Sequence, residues 1–370
     1  MKIEEFVEVL DSEFYTGVPD SLLKPLSSYL MNTYGIDPKH HLIAANEGNA
    51  VGIAAGYHLA TNKIPVVYMQ NSGEGNAINP IASLLNDKVY GIPAIFVVGW
   101  RGEPGIHDEP QHVYQGEVTL KLLEDMDIKY FVISTDTTID EIKNVMVEFR
   151  NILLKGKQVA FVVKKNALEY DGKVKYTNDY FISREEAIKH IIAISKTDKI
   201  ISTTGKASRE LFEARKEDEH QYDFLTVGSM GHSSSIALGV AINKPNKKIW
   251  CIDGDGAALM HMGSLATIGS INPNNFIHIL INNNAHESVG GMPTVANKIN
   301  FIDIAKACGY KNIVSVDNYQ ELDNALNNAK KTNVLSFIEI KCTIGAREDL
   351  GRPTLSAKEN KNNFMINLND

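Results

Sequence analysis

Apolar and polar residues follow two periods along this chain. Eight short runs are apolar almost throughout: residues 64–69, 94–98, 130–133, 159–163, 200–203, 249–252, 276–281 and 337–340. Their length and β-branched content predict strands. Between them, residues 21–34, 139–154, 184–195 and 320–330 place apolar positions at helical spacing. Strands that are apolar on both sides belong to a sheet covered on both faces. The alternation of such strands with helices predicts an α/β fold with doubly wound parallel sheets.

The chain also echoes itself. Residues 51–73 and 235–256 each read as a small-residue helix, a Lys/Pro turn, an apolar strand and a Gly-containing polar loop. That is the mark of internal duplication. Polar residues 166–180 show little periodicity and read as an interdomain linker. Two domains are expected, 1–168 and 182–370, and a chain of 370 residues that is 44% hydrophobic has room for both cores. With 37 Lys+Arg against 45 Asp+Glu the net charge is −8. No dense basic stripe appears, which argues against nucleic acid as a partner. Cys251, Cys308 and Cys342 are scattered through apolar or helical runs. They fit small buried hydrophobes in a reducing compartment, not a disulfide framework or a metal set. The first residues carry acids where a signal peptide needs a basic end and an apolar stretch, and no run approaches membrane-spanning length. A cytoplasmic protein is expected.

The richest chemistry lies between residues 249 and 288. A strand ends in Gly254-Asp255-Gly256, and the next ends in Asn282-Asn283-Asn284. In a βαβ unit both ends fall on the carboxyl edge of one sheet. A carboxylate and an amide are thereby brought together beside loop carbonyls, a hard-oxygen set suited to Mg²⁺. The flanking glycines let backbone N–H groups approach a diphosphate. This pattern resembles the thiamine-diphosphate (ThDP) signature. That cofactor needs a carboxyl group at N1′ of its aminopyrimidine, which favours the imino form able to take the thiazolium C2 proton. Glu47 is the candidate, since it follows a short apolar run and opens a helix of small residues. An ordinary helix N-terminal acid is the alternative.

Further segments carry a resemblance along the whole chain: TGVPDSLL (16–23), YMQNSGEGNAINP (68–80), WRGEPGIHDEPQH (100–112), TTGKASRELFE (203–213) and GAREDLGRPT (345–354). The chain resembles the two-domain ThDP-dependent 2-oxoacid decarboxylases, and within them most closely the phosphonopyruvate decarboxylase family. The sulfopyruvate decarboxylases are similar too, usually as two shorter chains. The resemblance implies two domains of the ThDP-binding fold, the pyrimidine-binding one first and the diphosphate-binding one second. It implies Mg²⁺ held by Asp255, Asn283 and the carbonyl of Ala285, a position where the family usually has glycine. Gly254, Gly256 and Ala257 would line the diphosphate, with Thr204, Gly205 and Lys206 nearby; Lys206 reads equally as a solvated helix start. Met230 in GSMGH (228–232) would wedge the cofactor into a V, the alternative being a core methionine. The implied reaction is decarboxylation of 3-phosphonopyruvate to phosphonoacetaldehyde and CO₂, a step of phosphonate (2-aminoethylphosphonate) biosynthesis. His286, His107 and His112 are candidates for proton transfer. Arg101, Arg347 and Arg352 are candidates for gripping the substrate anions. Asp20 and Ser21 could contact the oxoacid end, or serve as a turn residue and a plain N-cap. Asn71 and Ser72 are candidates for facing the thiazolium. The class implies a homo-oligomer, at least a dimer, with active sites at an isologous interface. A ThDP-dependent carboligase, or a non-catalytic regulatory subunit, are the competing readings. An NAD dehydrogenase is disfavoured, because no G-x-G-x-x-G turn opens the first βα unit.

Overall fold

The structure, a computed structural model, describes residues 1–369. The chain divides into two compact units, the first spanning Met1–Lys175 and the second beginning at Tyr176. The first unit contains β1 (Tyr15–Gly17), β2 (His41–Ile43), β3 (Val66–Gln70), β4 (Ile95–Gly99), β5 (Lys129–Ile133) and β6 (Val159–Val163). They form one parallel sheet in the order β2-β1-β3-β4-β6-β5. The second unit contains β7 (Lys199–Ser202), β8 (Asp223–Leu225), β9 (Ile249–Gly254), β10 (Phe276–Asn282), a small hairpin of β11 (Ala285–His286) and β12 (Met292–Pro293), then β13 (Asn312–Val316) and β14 (Ser336–Lys341). Its main sheet is also parallel, in the order β13-β14-β10-β9-β7-β8. Read from the other edge, this is the arrangement of the first unit: second strand, first, third, fourth, sixth, fifth. The two expected doubly wound sheets are therefore present, and they share one topology.

Alternation of side chains along each strand explains why the strands are apolar throughout. In the first unit Val66, Tyr68, Ile95, Val97, Phe161 and Val163 point into one core with the helices Ile3–Leu10 and Ile139–Leu153. Their neighbours Val67, Met69, Phe96, Val98, Ala160 and Val162 point into a second core under the helix Glu47–Thr61. In the second unit Trp250, Ile252, Ile277, Ile279, Ile338 and Ile340 pack one face against the helices Arg184–Ser195 and Tyr319–Lys331. The other face of β9 and β10 buries polar groups. His278 sits opposite Cys251 across the two strands, and both lie with Asp253 in one fully buried cluster. Its hydrogen bonds are already complete. His278 Nδ1 meets Tyr310 OH at 3.0 Å, and its Nε2 faces Asp253 Oδ2 at 3.4 Å. Asp253 Oδ1 accepts from Ser233 Oγ and from the Gly254 N–H. With both ring nitrogens engaged, this trio forms an interior hydrogen-bond network. All three cysteines are free thiols.

Residues 166–180 are less loose than their composition suggests. Ala167 and Leu168 are buried in the first core, and the N–H of Glu169 donates to Met1 O while Ile3 N–H donates to Glu169 O. At the other end Asn178 Nδ2 donates to the carbonyls of Asn283 and Cys342. Polar composition hides these anchors because the bonds are made by backbone or amide groups. No helix among the described residues is long and apolar enough to cross a membrane.

Candidate active site

In a sheet with this strand order, the chain leaves the first strand to one side and returns on the other. The crevice between the first and third strands, at their carboxyl ends, is the natural ligand site. Both units place their candidate residues along this carboxyl edge, at and beside the crevice. In the second unit Thr204 follows β7, Asp255 follows β9 and Asn283 follows β10. In the first, Asp20 follows β1, Glu47 follows β2, Asn71 follows β3 and Arg101 follows β4.

Asp255 opens a short helix, Asp255–Met260, and is 3% exposed. Its Oδ2 accepts from Thr294 Oγ at 2.6 Å. Burial pushes its pKa up to about 7, opposed by hydrogen bonds from Thr294 and the backbone amides of Gly256 and Ala285 and not by a cation. A buried carboxylate of this kind is stabilised by a positive ion. Asn283, 4% exposed, lies at the end of the adjacent strand, and its Oδ1 accepts the Ala285 N–H at 3.1 Å. Carboxylate, amide oxygen and the backbone at residue 285 thus converge, and the residues fit a hard divalent cation such as Mg²⁺.

The rest of the second-unit set gathers round this turn. A side chain at Gly254 would meet nothing within 4 Å, so the backbone there is open to an approaching diphosphate. A Cβ on Gly256 would lie 3.3 Å from the His286 ring and from the Met230 methyl. Those two side chains therefore border the same glycine. Burial draws the His286 pKa down to about 4, which leaves a neutral imidazole at neutral pH. Met230 is held between two left-handed residues, Ser229 at φ 50° and Gly231 at φ 87°. Ala257 is buried beside the turn. Thr204 Oγ donates to Val227 O at 2.6 Å, tying the loop after β7 to the segment that leads to Met230. Gly205 adopts φ 88° with open space over its Cα. Lys206 opens the next helix and reaches Glu287 at 3.4 Å.

In the first unit Asn46 caps the helix Glu47–Thr61, accepting the Gly48 N–H at 2.7 Å, and this turns Glu47 inward. Glu47 is 5% exposed, burial raises its pKa, and its Oε2 accepts from Asn76 Nδ2 at 2.7 Å. Gly73 lies so close that any Cβ would overlap the Glu47 carboxyl. Asn76 and Gly73 are the supports that sequence reading did not assign, although both lie in the quoted QNSGEGN run.

A second cluster forms round Arg101. Its guanidinium pairs with Asp108 through Nε at 2.8 Å and Nη2 at 2.5 Å, and Nη1 donates to Ser21 Oγ at 3.2 Å. Asp108 is held well below the ordinary carboxylate range by that pairing. Arg101 is thus charge-balanced within its own unit, so it offers directed N–H groups more than net charge. Asp20 Oδ2 accepts the N–H groups of Leu22 and Leu23, while its Oδ1 is buried with no partner. Burial, opposed by Arg101, lifts the Asp20 pKa to about 6. His112 has a buried Nδ1 without a partner, and burial followed by Arg101 lowers its pKa. His107 sits exposed on the loop that leads into the helix carrying His112.

Some candidates stand elsewhere. The Asn71 amide is fully buried and bonded to Arg101 O, Thr119 Oγ and the Arg101 N–H, so it clamps the loop after β4 instead of facing a ring. Ser72 is exposed, accepting from Gln70 Nε2. Ser21 is not the N-cap of the following helix, which begins at Lys24; Asp20 binds the turn before it. Arg347 is ringed by Glu185, Glu213 and Asp349. Arg352 is exposed on the C-terminal segment.

Glu74 is the anomaly of the first unit. It follows Gly73, is 6% exposed, and neither carboxyl oxygen has a partner. Burial lifts its pKa from 4.5 to about 8. Stability from such a group is complete below pH about 4.5 and is lost as pH rises through about 8. At about 1.4 kcal/mol per pH unit, that span corresponds to a loss on the order of 4–5 kcal/mol. Denaturant titrations at pH 5 and pH 9 should show this loss for the native chain and not for Glu74→Gln, which stays neutral. Equal losses in both would clear Glu74 of the effect.

Two family models match the chain: thiamine pyrophosphate enzyme, N-terminal TPP binding domain, over residues 4–125, and the corresponding C-terminal TPP binding domain over residues 203–340. The chain belongs to the ThDP-dependent decarboxylases, in the phosphonopyruvate decarboxylase family. Phosphonopyruvate decarboxylases of Streptomyces viridochromogenes and Streptomyces hygroscopicus are each 32% identical over 93% of this chain, covering 88% and 87% of their own lengths. A sulfopyruvate decarboxylase of Methanosarcina acetivorans is 30% identical over 80% of the chain and 79% of its own length.

Proposed function

We propose that this enzyme decarboxylates 3-phosphonopyruvate without oxidation, giving phosphonoacetaldehyde and CO₂ for phosphonate biosynthesis, with Mg²⁺ as the partner of ThDP. The observation that carries the cofactor half of this reading is the convergence of Asp255, Asn283 and the Ala285 backbone at the ends of β9 and β10. When bound, ThDP supplies a carbon nucleophile and an electron sink for the carboxylate's electrons. The residues of the chain do the rest. Asp255, Asn283 and Ala285 hold the ion, and Gly254 and Gly256 leave room for phosphate oxygens. Met230, beside Gly256, would border the bound cofactor. Glu47 would hydrogen-bond the pyrimidine N1′, a role that suits a carboxyl whose pKa is raised by burial. His286 is a neutral donor or acceptor beside the turn, and His112 and the orphan Asp20 Oδ1, each influenced by Arg101, are further proton-handling candidates. Ser21 and Arg101 are the groups placed to orient the substrate's anionic ends.

The reading includes a homo-oligomer in which one copy supplies Glu47 and another supplies Asp255. Two helices support it. Gly52 and Gly56 on Glu47–Thr61, and Gly239 on Ser233–Asn243, have open space where a Cβ would stand. A glycine inside a helix costs about 1 kcal/mol against alanine, and nothing among the described residues uses the room. Exposed Ile53, Leu59 and Ile242 lie on the same helices. Close approach of another copy's helix accounts for both.

The relative at 30% identity keeps a second substrate in view, sulfopyruvate. Phosphonate and sulfonate are both tetrahedral and differ by one charge. The test is aldehyde and CO₂ release from protein loaded with Mg²⁺ and ThDP, on 3-phosphonopyruvate, sulfopyruvate and pyruvate in parallel. The expected kcat/KM on phosphonopyruvate exceeds both others by at least about tenfold, a 1.4 kcal/mol difference. A reversed order transfers the assignment to the sulfonate.

A further inference from the structure

A carboxamide carries a donor at one end and an acceptor at the other, and the two ends have nearly the same shape. Only the oxygen can serve a hard cation. Asn283 can therefore stand at the ion with the right end or the wrong one, and its surroundings must decide. Its Nδ2 donates to Glu287 Oε2 at 2.8 Å. Its Oδ1 accepts the Ala285 N–H at 3.1 Å, and its main-chain carbonyl accepts Asn178 Nδ2 at 3.0 Å. Turning the amide over would set an oxygen against the Glu287 carboxylate and an NH₂ against the Ala285 N–H. Both contacts would be repulsive.

Glu287 is itself braced. Arg184, the first residue of the helix Arg184–Ser195, donates to Glu287 Oε2 at 2.5 Å. The same guanidinium straddles Glu210 at 2.6 and 2.7 Å. Lys206 stands 3.4 Å from the other Glu287 oxygen. The side chains of Arg184, Glu210 and Glu287 are 7%, 1% and 9% exposed. Two cations facing two carboxylates leave the buried group neutral overall, and every carboxylate in it has a charged partner.

We infer that Glu287, braced by Arg184 and Glu210, is a positioning residue that fixes Asn283 with its oxygen toward the cation. It touches no reacting atom. The inference rests on the Asp255–Asn283–Ala285 reading above and deepens it. Outer partners of this kind are worth roughly 10–100-fold in metal affinity.

An aspartate at 283 has an oxygen at both ends and no wrong face, which gives the test. Mg²⁺ is titrated calorimetrically, at saturating ThDP, into the native protein, Glu287→Ala, Asn283→Asp and the double variant, with melting curves on each. In the native background, Glu287→Ala should weaken Mg²⁺ roughly 10–100-fold. In the Asn283→Asp background it should cost nothing, since removing a neighbouring carboxylate also relieves repulsion. Such non-additivity is the signature of direct coupling. Equal losses in both backgrounds, or none in the native one, overturn the inference. If Glu287→Ala does not fold, Glu287→Gln replaces it in the same comparison, with a smaller loss expected because its amide can still turn an oxygen to Asn283. Native protein that takes up no Mg²⁺ at all would sink the site reading itself, a distinguishable result.

Discussion

Glu47→Gln is expected to lower kcat by roughly 10²–10⁴-fold, the range of a lost general acid–base group. ThDP uptake should change by no more than a few fold, because glutamine keeps the shape and a hydrogen bond. The reason lies in the placement of the carboxyl. Burial beside Gly73 favours its protonated form, while the Asn76 amide holds it in one orientation. Glutamine can meet the ring nitrogen but cannot exchange a proton with it. Steady-state CO₂ release and a calorimetric ThDP titration separate the two effects. Turnover at the native rate would remove Glu47 from the mechanism.

Asp255→Ala should weaken Mg²⁺ by more than about 100-fold, beyond the 10–100-fold ascribed to outer partners, because it removes a ligand outright. ThDP binding at moderate Mg²⁺ should fall with it. The same variant tests assembly when combined with Glu47→Gln. If each site draws Glu47 from one copy and Asp255 from another, a mixed dimer of the two inactive chains has one site with both residues intact. Random pairing of co-expressed chains then restores about a quarter of the native activity. Co-expressed chains that stay inactive would place both residues of a site on one chain.

Strands of five residues or more were largely legible, because a sheet covered on both faces demands unbroken apolar runs. Those over 159–163 and 276–281 are such cases, though β10 runs on to Asn282. The three-residue strands Tyr15–Gly17 and Asp223–Leu225 were not, because three residues hold no period, yet β1 is an interior strand paired with β2 and β3. Strand β13 escaped as well. It is an edge strand whose residues, NIVSV, are only half buried and mix polar with apolar. Asp255 and Asn283 could be read because their spacing is local to one βαβ unit. Their supports could not. Thr294 lies 39 positions from Asp255, and Arg184 lies 103 from Glu287, so only the closed fold brings them together. The burial of Glu74 is likewise invisible in sequence. At the start of a helix an acid reads as solvent-facing and dipole-stabilised, but here the helix packs with that end inward.

Each half of this chain closes its own six-stranded sheet over its own interior, in the same winding order. Folding of either half therefore draws on contacts it carries itself, and the peptide joining them serves chiefly to keep equal numbers of the two at high local concentration. A gene divided at Lys175 would lose that stoichiometric tether and leave both sheets, with the Asn178 anchor, whole. One ancestral module, copied into two halves that each match a thiamine pyrophosphate binding domain, is the economical account of such an architecture.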